Sequence, residues 1–316
     1  TKYHPCILSG CDIIRTILMT SHALTLIGNA ETNPLKTAHI ERVCQRLEIP
    51  VDPHWLAEDE ACDLFMDSPL TSLEVTQQVR ESLSGTAIDA ACTATRGRRK
   101  KLLISDMDST VIDQECIDEL GDAFGVGPQI REITTAVIKG EINFSEALRK
   151  RMLLMKGMDQ HLLESVYRDR LTIKAGARTL VQTMSHHGAY CILVSGGFSF
   201  FTSRISERLG FDDDKGNELI FEDGILTGAV EEPVLGRIAK LTILNELCDQ
   251  KGLQLAEVLA VGDGANDIMM IQAAGLGVAI HASESLKEVA DAFIDHGDLS
   301  ALLYIQGFHK SQFVTS

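Results

Sequence analysis

KLLISDMDST, residues 101–110, decides how this chain is read. Its apolar half has no polar interruption, as in a strand buried on both faces of a parallel sheet. The run stops at Asp106 and Asp108. Ligand and catalytic groups of open parallel sheets collect at the carboxyl ends of strands, so both carboxylates can enter one crevice there. Two carboxylates that close are costly without a cation, which points to a hard metal such as Mg²⁺. With a metal, one carboxylate can attack a phosphoryl group while the other gives or takes a proton. Alone, D-x-D reads equally well as a solvated turn.

Working outward, the same layout recurs. Residues 258–261 form a second apolar strand that runs into VGDGAND, 261–267. Asp267 by itself is explained as a first-turn acid complementing a helix dipole. Asp263 lies between two glycines, which permit close backbone approach and are harder to dismiss as a surface turn. Two acidic strand-end loops in one sheet favour a metal site. The run is no dinucleotide fingerprint, and no G-x₄-G-K-[ST] occurs, so nucleotide cofactors are disfavoured. Ser195-Gly196-Gly197 follows an expected strand at 190–194 and precedes a helix at 198–209. A hydroxyl and freed N–H groups at a helix N-terminus can seat phosphate, although S-G-G is equally an ordinary turn. Lys240 opens a helix at 238–248, where a bound anion would offset the dipole; a solvated surface lysine is the alternative.

Between these loops, residues 115–124, 128–139, 143–156 and 159–168 read as consecutive helices. In the third, Asn143 and Glu146 resemble a capping box. Phe144, Leu148, Arg151 and Met155 share one stripe at helical spacing. An inward arginine requires a carboxylate or phosphate partner, which it can hold in a bidentate fork, or an internal salt bridge. Residues 218–230 carry Asp223-Gly224 between strand-like flanks, a hairpin signal. A helix at 267–274 and a strand at 276–280 complete a strand–helix alternation interrupted by the helical insertion.

Upstream, residues 1–95 read as a small α+β domain. Strands are expected at 23–28, 54–66 and 87–94, with helices at 34–47 and 72–83. The basic run RGRRKK, 96–101, reads as a solvated linker. The tracts 212–214 and His186-His187 read as solvated loops. The second domain then spans 98–316, with a core of 98–112 and 172–316 and a cap at about 113–171.

Charge limits the partners. The 316 residues carry 29 Lys+Arg against 45 Asp+Glu, a net charge of −16. Such a surface repels phosphate backbones and anionic lipids, so neither nucleic acid nor membrane is expected as a partner. Any bound anion must be drawn by a local device. No apolar run approaches the length of a transmembrane helix, and TKYHPCILSG lacks a signal-peptide layout. The eight cysteines are scattered without a C-x-x-C pair, as expected of reduced thiols in a cytoplasmic protein. Zinc is disfavoured by the lack of His–Cys ligand spacing.

Taken in order, DMDST (106–110), SGG (195–197), Lys240 and GDGAND (262–267) resemble the four motifs of the haloacid-dehalogenase-like phosphatases. The resemblance extends through DMDSTVIDQECIDEL (106–120), NFSEALRKR (143–151), LVSGGF (193–198) and VGDGANDIMMIQAAGLGVA (261–279), covering about 98–305. It implies a Rossmann-like parallel sheet with an inserted helical-bundle cap. Residues 1–95 are loosely similar to ACT-like modules. The activity implied is Mg²⁺-dependent hydrolysis of O-phospho-L-serine through an aspartyl-phosphate, the last step of serine biosynthesis; another small phosphomonoester is the alternative. Asp106 would be the nucleophile and Asp108 the acid and base. Mg²⁺ would be held by Asp106, the backbone carbonyl of Asp108 and Asp263, with Asp267 in support. Ser195, Gly196 and Lys240 would hold phosphoryl oxygens, and Asn266 would face the phosphate. Glu115 would take the substrate ammonium and Arg151 its carboxylate, beside Phe144. A homodimer is allowed for, the oligomeric state being otherwise unread.

Overall fold

The computed structural model describes residues 20–315. The expectations that fall on residues 1–19, with Cys6 and Cys11, lie outside the described residues. Four antiparallel strands come first: β1 (Thr20–Ile27), β2 (His54–Ala57), β3 (Ala61–Ser68) and β4 (Asp89–Ala94), ordered β2-β3-β1-β4. Two helices, Thr37–Leu47 and Ser72–Ser82, cover this sheet and enclose a core that includes Leu24, Leu26, Ile40, Val43, Val75 and Val79.

Two expectations for this region are corrected. The single strand at 54–66 is a hairpin, β2 and β3, which turns at Asp59 with φ 57°; the polar triplet 58–60 cannot stay in a buried strand. The helix expected from 34 begins at Thr37, because the Leu35 N–H bonds the Asp59 carbonyl at 2.7 Å and holds that segment extended.

The second sheet has six parallel strands. They are β5 (Leu102–Ser105), β6 (Tyr190–Phe198), β7 (Asp213–Asn217), β10 (Val258–Gly262), β11 (Leu276–Ile280) and β12 (Ala292–Ile294), ordered β12-β11-β10-β5-β6-β7. A small antiparallel hairpin, β8 (Leu219–Glu222) and β9 (Ile225–Val230), stands apart. Its turn residues Asp223 and Gly224 both have positive φ, the conformation a two-residue hairpin turn demands. Leu102, Leu103 and Ile104 are fully buried, each contributing roughly 2 kcal/mol by removal from water. The chain winds from β5 outward to β7, then returns to β10 on the other side of β5. The strand order therefore reverses between β5 and β10, and a crevice opens at their carboxyl ends.

Four helices, Cys116–Phe124, Gly127–Ile138, Phe144–Leu154 and His161–Arg170, leave the sheet after β5. The two ends of this insertion are tied together. Ile112 bridges Ile173, the Asp113 N–H bonds the Thr172 carbonyl at 3.0 Å, and the Lys174 N–H bonds the Val111 carbonyl at 3.0 Å.

The helix Ala177–His186 had no counterpart among the sequence expectations, although Ala177, Leu180, Val181 and Met184 bury a stripe at helical spacing. The tract 212–214 is no solvated loop. Asp212 accepts the Cys191 N–H at 2.7 Å and Asp214 accepts the Thr202 hydroxyl, while β7 pairs with β6. The basic run 96–101 is not a free linker either. Arg98 holds Asp63 with two bonds of 2.7 and 3.0 Å and donates to the Ile305 carbonyl at 3.1 Å. Asp89 accepts the N–H groups of Asp295, His296 and Gly297. Buried charges persist only with such partners, so the small sheet is fastened to the larger one at two points.

Candidate active site

The site begins where β5 and β10 part. The Asp106 N–H bonds the Val261 carbonyl at 3.0 Å, extending the strand pairing by one residue and bringing Asp106 beside the 262–267 loop. Lys240 sits behind them with 0% exposure, its Nζ 2.7 Å from both Asp106 Oδ1 and Asp267 Oδ1. It is neither a surface lysine nor in open contact with the cavity. Burial opposes its charge, but the two carboxylates outweigh burial and hold its pKa above the ordinary range. Asp267 is likewise fully buried and ion-paired, at the N-cap of the helix Ile268–Ala273 rather than in its first turn. At Gly262 a Cβ would lie 2.4 Å from the Asp267 carboxyl, so only glycine fits.

Thr110 donates to Asp263 Oδ1 at 2.9 Å, and Asn266 Nδ2 donates to Asp106 Oδ2 at 3.1 Å. One carboxylate oxygen from each of Asp106, Asp263 and Asp267 lies within 4.8 Å of the others. Burial, with the Asp106 charge added, pushes the Asp263 carboxyl up to about 6. Three carboxylates around a single lysine leave an uncompensated negative charge, and every ligand atom offered is a hard oxygen. That donor set suits a small divalent cation.

Asp108 faces the other way. Its Oδ1 accepts the Cys116 N–H at 2.9 Å and its Oδ2 accepts the Ser195 hydroxyl at 3.0 Å. Burial raises the Asp108 pKa in spite of these bonds, and the charge of Asp106 adds to the rise. Ser195, Gly196 and Gly197 lie in the carboxyl-terminal part of strand β6 rather than at a helix N-terminus, since the next helix starts at Ser199. The Gly197 N–H bonds Ser195 Oγ at 2.8 Å, and a Cβ at 197 would fall 2.8 Å from Asp108 Oδ2. Ser109 takes a left-handed φ of 52° and donates to Glu115 Oε1 at 2.7 Å. That backbone costs roughly 1 kcal/mol and re-aims the chain toward the insertion. Burial, then the nearby Asp108 charge, pushes the Glu115 carboxyl up to about 8.

The insertion supplies the facing wall. Phe144, Leu148 and Arg151 line a cavity of about 160 Å³ together with Asp106, Asp108, Glu115, Ser195, Gly196, Asp263 and Asn266. The Phe144 ring lies against Gly196, where an added Cβ would meet Cζ at 2.8 Å. Arg151 is 9% exposed. It makes no ion pair among the described residues; its Nη2 donates to Thr134 at 2.6 Å and its buried Nε has no partner. The residues singled out from sequence thus converge on one pocket, except Lys240 and Asp267, which lie beneath its floor. No role was expected for the Thr110 and Thr134 hydroxyls, because their partners Asp263 and Arg151 lie on other segments of the chain, 153 and 17 residues away. A larger cavity of about 650 Å³ lies between the 161–170 and 199–209 helices, away from both acidic loops.

A model of haloacid dehalogenase-like hydrolases matches residues 103–272. A phosphoserine phosphatase of Archaeoglobus fulgidus is 41% identical over 231 residues, spanning 72% of this chain and 67% of that protein. The chain belongs to the phosphoserine phosphatase family of haloacid dehalogenase-like hydrolases. Within that family, a substrate-bound phosphoserine phosphatase complex superposes with a TM-score of 0.61 at 39% identity, covering 65% of this chain and 98% of that one. A haloacid dehalogenase family hydrolase from Salmonella enterica serovar Typhi, at 24% identity, shares the fold over 90% of this chain and 98% of its own, with a TM-score of 0.82. This phosphatase therefore keeps its architecture beyond the matched segment, through the small sheet. None of its described helices is long and apolar enough to cross a membrane.

Proposed function

We propose that the chain hydrolyses O-phospho-L-serine to L-serine and phosphate with Mg²⁺ as cofactor. The observation that carries this reading is a small cavity with two kinds of wall. Asp106, Asp108 and Asp263 line it at the strand ends, and Glu115 and Arg151, whose buried Nε has no partner, line it from the insertion. One end suits a phosphoryl group in a charge-neutralised cradle. The other suits a group with adjacent carboxylate and ammonium.

In this reading Asp106 attacks phosphorus in line as the bond to the serine oxygen breaks, giving an aspartyl-phosphate. Asp108, whose pKa burial raises, donates a proton to the departing serine oxygen. It then takes a proton from the water that attacks the aspartyl-phosphate, which releases phosphate and restores Asp106. Ser195 and the Gly196 backbone orient phosphoryl oxygens, Asn266 faces them, and Lys240 acts from behind by fixing and partly neutralising Asp106 and Asp267. Mg²⁺ would be held by Asp106, the Asp108 backbone carbonyl and Asp263, with Asp267 bracing the loop; when bound it neutralises charge on the transferring group. An incoming ammonium beside Glu115 favours its charged form, and Arg151 can take the substrate carboxylate in a fork.

We assign this chemistry to residues 98–316, with 113–171 as the cap over a core of 98–112 and 172–316, and residues 1–95 to a separate α+β domain. We further place the activity at the last step of serine biosynthesis, in the cytoplasm; the six described cysteines, all free and buried, are consistent with that compartment. The test is phosphate release from a panel of phosphomonoesters, with Mg²⁺ and with chelator. Phosphoserine should lead the panel, and chelator should stop turnover. A phosphorylated sugar or a plain alkyl phosphate in first place would replace the substrate assignment.

A further inference from the structure

Asn217, the last residue of β7, is 3% exposed and lines no part of the cavity. Its side chain is nonetheless bonded at every position the site would require of a brace. Nδ2 donates to the Gly196 carbonyl at 2.8 Å and to the Leu235 carbonyl at 3.2 Å, while Oδ1 accepts the Leu235 N–H at 2.7 Å. The two bonds to Leu235 fix the amide, leaving one N–H aimed at Gly196.

The Gly196 carbonyl belongs to the peptide unit whose other end is the Gly197 N–H. That N–H donates to Ser195 Oγ, and Ser195 Oγ donates to Asp108 Oδ2. A chain of four polar groups thus runs from Asn217 to Asp108 through one rigid peptide plane. Gly196 and Gly197 lack side chains that could hold this plane, and their φ/ψ freedom is wide. Something outside the loop has to fix it.

We infer that Asn217 is a positioning residue for the reaction: it locks the Gly196–Gly197 peptide so that the Ser195 hydroxyl stays on Asp108 and the loop's remaining polar groups face the phosphoryl seat. Bonds in such a chain also polarise one another, so its first member strengthens its last. This deepens the proposed function and rests on it for the identity of the reacting groups, although the relay itself is independent of which phosphomonoester binds.

The test is a double-mutant cycle of Asn217→Asp and Ser195→Ala. Aspartate keeps the volume and the acceptor for the Leu235 N–H but loses the donor to the carbonyls of Gly196 and Leu235. Alone it should lower kcat for phosphoserine about tenfold, the effect of one well-placed hydrogen bond, with KM changed less than about threefold. In the Ser195→Ala background it should lower kcat by no more than about twofold, because the relay is already cut. The same cycle on inorganic phosphate affinity with Mg²⁺ present supplies a readout that needs no turnover.

Asn217→Ser, whose hydroxyl can still donate, should recover part of the loss. Losses that multiply in the double variant would overturn the relay, as they would signal general loosening. So would two Asn217 variants that fail to fold, which would make the residue a scaffold element. Wild-type protein that ignores phosphoserine yet shows the non-additive cycle on phosphate would overturn the substrate assignment and leave the relay standing.

Discussion

Replacing Arg151 by alanine should separate recognition of the substrate's amino-acid end from the chemistry at phosphorus. Among the described residues the guanidinium is held by a single bond of 2.6 Å to Thr134, its Nε is buried without a partner, and no ion pair engages it. Burial lowers its pKa, with Asp118 and Glu115 opposing the fall. It is therefore poised to gain from a carboxylate. A hydrogen bond to a charged group contributes about 1.5 to 3 kcal/mol, which corresponds to about tenfold to 150-fold at 1.36 kcal/mol per decade. Phosphoserine kcat/KM should fall within that range. Hydrolysis of a small aryl phosphate, which has no carboxylate, should fall less than about threefold. Arg151→Lys should lie between, since it keeps the charge and loses the planar fork. The assay is steady-state phosphate release on both substrates at saturating Mg²⁺. Equal losses on both would refute the reasoning and make Arg151 a structural member of the insertion.

Three further outcomes follow from the same geometry. Lys240→Met leaves Asp106 and Asp267 buried without their shared cation, so the metal-free protein should lose about 3 to 5 kcal/mol; thermal unfolding with and without Mg²⁺ should show the metal recovering part of it. Arg98→Met strands Asp63, itself 1% exposed, and should lower unfolding stability by a similar amount while kcat on folded protein stays within about twofold. Glu115 is pushed up to about 8 from an ordinary 4.5, so the folded state binds the extra proton. Its contribution to stability is present below about pH 4.5 and is lost as pH rises through about 8; urea unfolding of metal-free protein across that window should show the decline, and Glu115→Gln should make it shallower, with Asp263, pushed up to about 6, carrying part of the remainder.

The α/β core was legible because β5, β10 and β11 are apolar runs, the first two ending in acidic loops. The insertion's helices were legible from their stripes, Arg151 among them. What escaped the sequence was mostly partnership across long separations. Arg98 looks like part of a solvated basic run until Asp63 and the Ile305 carbonyl close around it. Lys240 looks like a surface residue until two carboxylates from distant loops enclose it. The hairpin of β2 and β3 escaped for a local reason: its turn is three polar residues with neither glycine nor proline, and Asp59 adopts positive φ without the usual signal. Asn217 lies among ordinary polar residues, and only the fold places its amide behind the 195–197 segment.

The most direct measurement of the central claim is to trap the covalent state. Protein mixed with ³²P-phosphoserine and Mg²⁺, acid-quenched within one turnover and digested, should carry acid-stable, base-labile label on the peptide containing Asp106. Asp106→Asn should carry none. Wild-type turnover with no label on that peptide, or label retained in Asp106→Asn, would contradict the account.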